Sequence, residues 1–472
     1  MESVWLDSVI AQARLEELPV RSQTRRELAQ VLADEATPLG RIALVVMSDP
    51  GLALRVLQQA NQVEHRHFSR EIASLEDAIQ MLGTRTLAEL ERTAPLAETV
   101  LDAQRLDHYQ RSCGRALLAA LLAQDWAELD RDRVPTEIAL AALLNNLGEL
   151  YLLAHGDARI NRYLEMMARV QVLPHEAEYV TLSESLEALG YRLALKWSLP
   201  EMARESMRGR NARHLRPLCV MLATQIARHA YSGWGRPGQW SDLRLVAELL
   251  ELDVGMLCDR VDRVLDRFNE RAWLYGCKPL DALPLVTGRE EARMLARPCD
   301  TAFCLAPRAD DLARASASLV PGVIDDRERL ILAWLRGLHR GLGLNRVLYV
   351  AFDPLQGRLT AEQLVGTDFE PSFNRFSLAL EAGGLFARLI ETPGALWLNA
   401  ANRAEWIDQV PVDVKTLTGV ESFMARSVWV RGQPVGLVYA DRRAVDCALD
   451  VRAYQGFMQL AALAEAALAR FG

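Results

Sequence analysis

The sequence predicts a multidomain chain of two classes: an all-α helical bundle, then an α/β domain built on an antiparallel sheet. Three observations predict it. Apolar residues recur at helical spacing from the N-terminus to about residue 275. Pro279, Pro284, Pro298, Pro307 and Pro321 then punctuate short apolar pieces. Beyond them lie β-branched and aromatic runs ending in a hairpin pattern. A length of 472 residues fits two or three domains.

Composition narrows the function classes. Half the residues are hydrophobic. A net charge of −8 and a pI near 5.7 argue against a general nucleic-acid binder. The basic residues are almost all arginine; the lysines are Lys196, Lys278 and Lys415. The cysteines are Cys113, Cys219, Cys258, Cys277, Cys299, Cys304 and Cys447, without a C-x-x-C pair. A reduced, cytoplasmic chain is the simplest expectation. No N-terminal signal pattern appears, and no apolar run is expected to reach the roughly 20 residues of a membrane span.

The helices follow in order. Trp5, Val9 and Ile10 open an amphipathic segment, which Leu18-Pro19-Val20 ends. Leu28, Val31 and Leu32 mark the next helix, and 42–47 a third. Asp49 is a good N-cap and Pro50 a good first helical residue; Leu52, Val56, Leu57 and Ala60 continue that helix. The polar stretch 64–70, with His65 and His67, reads as a loop. A further helix runs to Leu82, with Gly83 as its stop.

These residues carry a resemblance. Leu18-Pro19, then 49–61 (DPGLALRVLQQAN), then 72–83 (IASLEDAIQMLG) resemble the HDOD domain. That domain is an all-helical output module of bacterial signalling, related to the HD metal-dependent phosphohydrolases. The similarity extends through Trp197-Ser198-Leu199-Pro200 and implies a compact helical bundle. Catalytic HD proteins carry a His-Asp dyad after a Leu-Leu run. Here Asn145 and Asn146 stand at those degenerate HD-dyad positions. Leu186 stands where a relative places a histidine, and Arg210 and Asn211 where a His-His pair would lie. Amides are poor transition-metal ligands. The resemblance therefore implies no catalytic residue, no metal and no cofactor.

The same asparagines interrupt the most apolar run of the chain, 138–153. They lie with Gly148 and Glu149 inside a stretch expected to be one buried helix. Asn145 and Glu149, four apart, can pair on one face; a buried hydrogen-bonded network is the expectation. His108, His155, His175, His214 and His229 show no metal-site spacing. Arg204, Arg208, Arg210 and Arg213, with His214 and Arg216 beyond, form a candidate anion-binding cluster. A capping box from Ser198 to Glu201 would start their helix and put Arg204 and Arg208 on one face. A solvated basic face is the plainer reading. Residues 242–275 continue helical, and 278–322 read as a connector in which Cys299 and Cys304 are expected to be unrelated thiols.

The C-terminal part reads as helix 329–342, strands at 346–352 and 359–365, a helix over 373–390, and a short strand at 395–398. A hairpin follows over 423–441 with a turn at Arg431-Gly432-Gln433-Pro434, and a helix closes at 454–471. This order, with the hairpin's V-x-G-Q-P-V-G-L-V-Y-A-D finish, resembles a GAF-type sensor domain. Relatives of that type bind small molecules over the sheet. Phe352, Phe376, Trp397, Met424 and Tyr439 are the candidate pocket, against a plainer reading as ordinary core. No cyclic-nucleotide or chromophore signature appears.

The domains expected are thus an HDOD-like domain at 1–280, a linker at 281–322 and a GAF-like domain at 323–472. The function expected is a non-catalytic signal-transduction regulator acting through a signalling protein partner, with small-molecule sensing at the C-terminal domain. Two alternatives stand beside it: a divergent HD-type phosphohydrolase with a rebuilt site, and an anion- or nucleic-acid-binding regulator using the Arg204–Arg216 cluster. No membrane partner is expected. The alternating Ala and Leu of 460–469 suggest a homodimer, against a competing role as a cover for its own sheet.

Overall fold

A computed structural model describes residues 4–34, 36–62, 71–168, 172, 174–182, 184–235, 238–284, 304–368, 370–419, 422–443 and 447–471. The loop expected at 64–70 and Cys299 lie outside them. The chain forms two compact units. One takes residues from 2–162 and 184–294, the other residues from 163–183 and 295–472. Residues 163–183 belong to the helical half of the sequence but pack with the C-terminal unit.

In the helical unit the local signals act as expected at the N-terminal motif. Asp49 Oδ1 accepts from the Gly51 and Leu52 amides at 3.0 and 3.3 Å and so caps the Pro50–Gln62 helix. Gly83 (φ 74°) breaks the helical path, yet the helical segment resumes and runs to Thr93. The long helix Ala103–Leu129 is the spine, against which Pro135–Leu144, Leu147–His155 and Leu215–Tyr231 pack. Two expectations fail here. The apolar run is not one helix: it stops at Leu144 and restarts at Leu147, with both asparagines in the break. Asparagine offers the backbone local alternatives to helix. The stretch Pro135–His155 is also long and apolar enough to cross a membrane by composition, contrary to expectation, but 83% of its most apolar window is buried inside the protein.

A polar staple holds the first helices. Arg21, 2% exposed, lies 4.1 Å over the Tyr275 ring and donates to Leu274 O and Thr24 Oγ1. Its own amide donates to Asp49 Oδ2 at 2.9 Å. Burial would lower the Arg21 pKa, but Tyr275 and Asp49 hold it above the ordinary arginine range.

In the C-terminal unit six antiparallel strands form one curled sheet in the order β3-β2-β1-β6-β5-β4. They are β1 (Arg346–Asp353), β2 (Arg358–Val365), β3 (Ser377–Ala379), β4 (Ala395–Leu398), β5 (Phe423–Val430) and β6 (Gln433–Asp441). The β5–β6 turn has φ of 50° at Arg431 and 76° at Gly432. Two successive left-handed residues make a primed turn that matches strand twist. Pro434 is not in that turn; it lies in β6 opposite Trp429, where the register shifts. The helix expected over 373–390 is instead Pro371–Asn374, strand β3 and Leu385–Glu391. Gly383 (φ 74°) and the edge pairing of β3 with β2 divide it.

The sheet is buried on both faces. One is covered by helices Arg327–Arg336 and Val451–Leu468 around Trp334, Tyr349, Met424 and Phe457. The other carries Leu348, Phe373, Phe386, Phe423 and Tyr439. Cys304 and Cys447 are disulfide-bonded, with Cα atoms 5.5 Å apart and 143 residues between them in sequence. The expectation of unrelated thiols at Cys304 is thus corrected, and with it one ground for a reducing compartment.

Candidate functional site

The break between Leu144 and Leu147 puts both amides against neighbouring helices. Asn146, 7% exposed, donates from Nδ2 to Ser112 Oγ at 2.7 Å and to Ser112 O at 3.2 Å. Its Oδ1 is buried without a hydrogen-bond partner. Asn145 donates to Ser206 O at 3.3 Å. Glu149 does not pair with Asn145; it forms a largely buried ion pair with Arg115. The reason is geometric: the helix ends between them, so the four-residue spacing no longer places them on one face.

Gly148 explains why the run tolerates a glycine. A Cβ there would stand 2.2 Å from Leu186 O and 3.0 Å from Gly190 N. The Leu147–His155 and Leu186–Lys196 helices therefore meet backbone to backbone. Leu186 is buried in this contact region. Asn211 is tied down by its donation to Glu205 O at 2.9 Å and Oε2 at 2.6 Å. Among the described residues, no three His, Cys, Asp or Glu side chains form a metal cradle. Asn145 and Asn146 thus act as helix-to-helix hydrogen-bond donors. Burial lowers the pKa of nearby His108, with Asp107 and Glu149 opposing.

The arginine cluster does not converge. Ser198 sits at φ 51°, and the helix it was expected to cap is only Glu201–Glu205, capped at Pro200 without a side-chain bond. A separate 3-10 turn, Gly209–Arg213, follows. Arg204 and Arg208 therefore share no helix face. Arg204 lies 3.7 Å from Glu71. Arg208 stacks 5.0 Å over Tyr191, Arg210 is half-buried on the turn, and Arg213 is exposed beside His214. Arg216 pairs with Asp132 and Glu137.

The C-terminal candidates divide between the two sheet faces. Phe352, Phe376 and Tyr439 pack on one; Trp397 and Met424 pack on the other, against the helices. Five residues on opposite faces cannot line one pocket. Strand alternation is the cause: Met424 points away from its neighbours Phe423 and Ala425. Tyr439 is 1% exposed and stacks on Phe423 with ring centroids 5.2 Å apart, so this face is filled by its own rings.

The sequence reading missed a buried charge network at the sheet's end. Arg346, 3% exposed, donates through Nε to both oxygens of Asp441 at 3.1 and 3.0 Å and pairs with Glu370. Tyr439 donates to Asp441 at 2.7 Å, and Arg443 pairs with Glu370. The helix Pro174–Thr181 brings His175 into the neighbourhood of Arg443, His339 and Arg346. Burial, then those cations, hold its pKa well below the ordinary histidine range. On the same helix Tyr179 donates to Ala306 O and Arg340 O at 2.7 and 3.1 Å, under the Arg308 guanidinium. Only the opening Arg346 of a strand and the closing Asp441 of its sheet partner hinted at this.

Residues 18–212 match the model of the HDOD domain, so this segment is an HDOD domain. Similar solved structures include a virulence factor from Campylobacter jejuni subsp. jejuni, 16% identical, covering 57% of this chain and 98% of that one, with a TM-score of 0.44. An HDOD domain protein of unknown function from Geobacter sulfurreducens is 18% identical, covering 57% and 95%, with a TM-score of 0.33. The GAF domain of a phosphoenolpyruvate-protein phosphotransferase from Acinetobacter is 16% identical, covering 34% and 92%, with a TM-score of 0.27. No curated protein matches the chain.

Proposed function

We propose that the chain is a non-catalytic signal-transduction regulator acting by protein–protein contact, its HDOD domain joined to a GAF-like C-terminal domain. The observation that carries the first part is the use of Asn145 and Asn146. Both amides are committed to neighbouring helices, on Ser206 and Ser112. A two-metal hydrolase needs carboxylate and imidazole ligands converging on open space. The arginine cluster lends little to an anion or nucleic-acid reading, because Arg204 and Arg216 already face carboxylates.

Transmission has a covalent basis. Residues 163–183 pack within the C-terminal unit, while the chain on either side of them continues into the helical unit. A change in the C-terminal unit would move this segment and bias what the HDOD domain presents to a partner. The reading is tested by titrating manganese into the full chain in a calorimeter. No saturable site is expected; stoichiometric binding lost in Asn145→Ala/Asn146→Ala would overturn the non-catalytic reading.

A further inference from the structure

The Cys304–Cys447 bond joins two arms of the C-terminal unit that are held very differently. Cys447, 6% exposed, is on the fixed arm. Arg442 ties this arm to the turn before β1, donating to Leu342 O and Gly343 O at 3.2 Å each and to Ala448 O at 2.8 Å. Leu449 then enters the core beneath the helix Val451–Leu468.

Cys304 is on the lightly seated arm. From Cys304 to Asp310 only Leu305 is buried. The arm lies close against the same turn, where a Cβ on Gly343 would stand 2.2 Å from Leu305 O. Hydrogen bonds hold it there: Arg308 N donates to Arg340 O at 3.0 Å, and Tyr179 donates to Ala306 O at 2.7 Å. The Arg308 guanidinium returns a bond to Tyr179 O. One buried side chain and exchangeable hydrogen bonds leave the bond to Cys447 as the arm's covalent tie to the fold around it.

Access is equally one-sided. Among the described cysteines Cys304 alone is exposed; Cys113 and Cys258 are buried, and Cys219 and Cys277 half-buried. A disulfide opens when a thiolate attacks a reachable sulfur, and the reachable sulfur here is Cys304 Sγ.

We propose that this bond is a reversible switch, oxidised to dock residues 304–308 and reduced to release them. A thiolate of a dithiol reductant attacks Cys304 Sγ, the S–S bond breaks, and Cys447 leaves as a thiolate that takes a proton. The second thiolate of the reductant attacks the mixed disulfide, forms its own cyclic disulfide and returns Cys304 as a thiol. Two electrons and two protons pass to the protein, and the oxidised couple reverses the step. Release removes the Ala306 acceptor from Tyr179 on the helix Pro174–Thr181. The switch does not depend on whether the HDOD domain turns over a substrate, so either reading can fail alone.

The test uses the full chain and dithiothreitol without denaturant, with peptide-resolved alkylation and brief-pulse hydrogen exchange. Cys304 and Cys447 should become alkylated in the folded protein and should pair again when the oxidised form of the reagent is in excess. Reduction should speed exchange over 304–312 roughly tenfold, as a local opening does, while the β5–β6 hairpin stays protected on that timescale. Cys304→Ser should exchange at the fast rate with or without reductant; Cys447→Ala replaces it if that variant does not fold. A bond that opens only after denaturant is added, unchanged exchange over 304–312, or a hairpin that loses protection together with it would each overturn the proposal.

Discussion

Asn146 makes the sharpest statement at the scale of single residues. Its Nδ2 faces two Ser112 oxygens while Oδ1 has no partner. Asn146→Asp, the acid that the HD resemblance places here, would replace the donor with an oxygen 3.2 Å from Ser112 O and bury a charge. A stranded buried group of this kind costs on the order of 2 kcal/mol. Urea unfolding should therefore show a lower midpoint for Asn146→Asp; an unchanged midpoint would mean that the amide is not wired as described. That these positions carry amides, poor ligands for a transition metal, could be read from the sequence. Their partners could not. Ser112 and Ser206 lie far along the chain, and Glu149 goes to Arg115 because the helix breaks at a point that apolar periodicity does not mark.

At the scale of elements, the helix Pro174–Thr181 carries a pH dependence. His175 is 5% exposed and faces Arg443, His339 and Arg346, with its Nε2 unpartnered. Its folded pKa is depressed below the unfolded 6.5. The neutral ring thus contributes stability that is fully present above about pH 6.5 and is progressively lost as pH falls below it. Between about pH 7.5 and 5.5 the loss from this one group is about 1.4 kcal/mol. Thermal melts should show the wild type dropping more than His175→Gln over that interval; parallel curves would contradict the burial of a neutral ring.

The connector makes a second element-scale prediction. The Cys304–Cys447 bond closes a loop of 143 residues in sequence separation. Cys304→Ser should cost about 2–4 kcal/mol of stability, and a reductant should lower the wild type to the same level while leaving the variant unchanged. An equal response of both to reductant would exclude the pairing. The closing helix Val451–Leu468 uses Phe457, Leu460, Ala461, Ala464 and Leu468 to cover its own sheet, leaving Ala462 and Ala466 exposed. The proposed homodimer is therefore confined to that narrow strip, and light scattering of wild type against Ala462→Glu/Ala466→Glu addresses it.

For the whole molecule, sequence patterns had unequal reach. The Asp49-Pro50 start, the 423–441 hairpin and strands β1, β2 and β4 were legible because capping, turn chemistry and β-branched runs are local signals. Strand β3 was not, because three residues carry too little pattern and gain their structure from pairing with β2. The candidate pocket failed on a shift of one residue: Met424 faces the helices, whereas Phe423 faces Tyr439. The placement of 163–183 with the C-terminal unit rests on long-range contacts such as Tyr179 with Ala306 and Arg340, which no local pattern announces.

The central proposal is that the HDOD domain here works by contact and not by turnover. Its most direct test is hydrolysis of bis(p-nitrophenyl) phosphate by the purified full chain with excess manganese, run beside Asn145→Ala/Asn146→Ala. The account predicts no turnover above buffer from either protein. Turnover by the wild type that disappears in the double variant would contradict it.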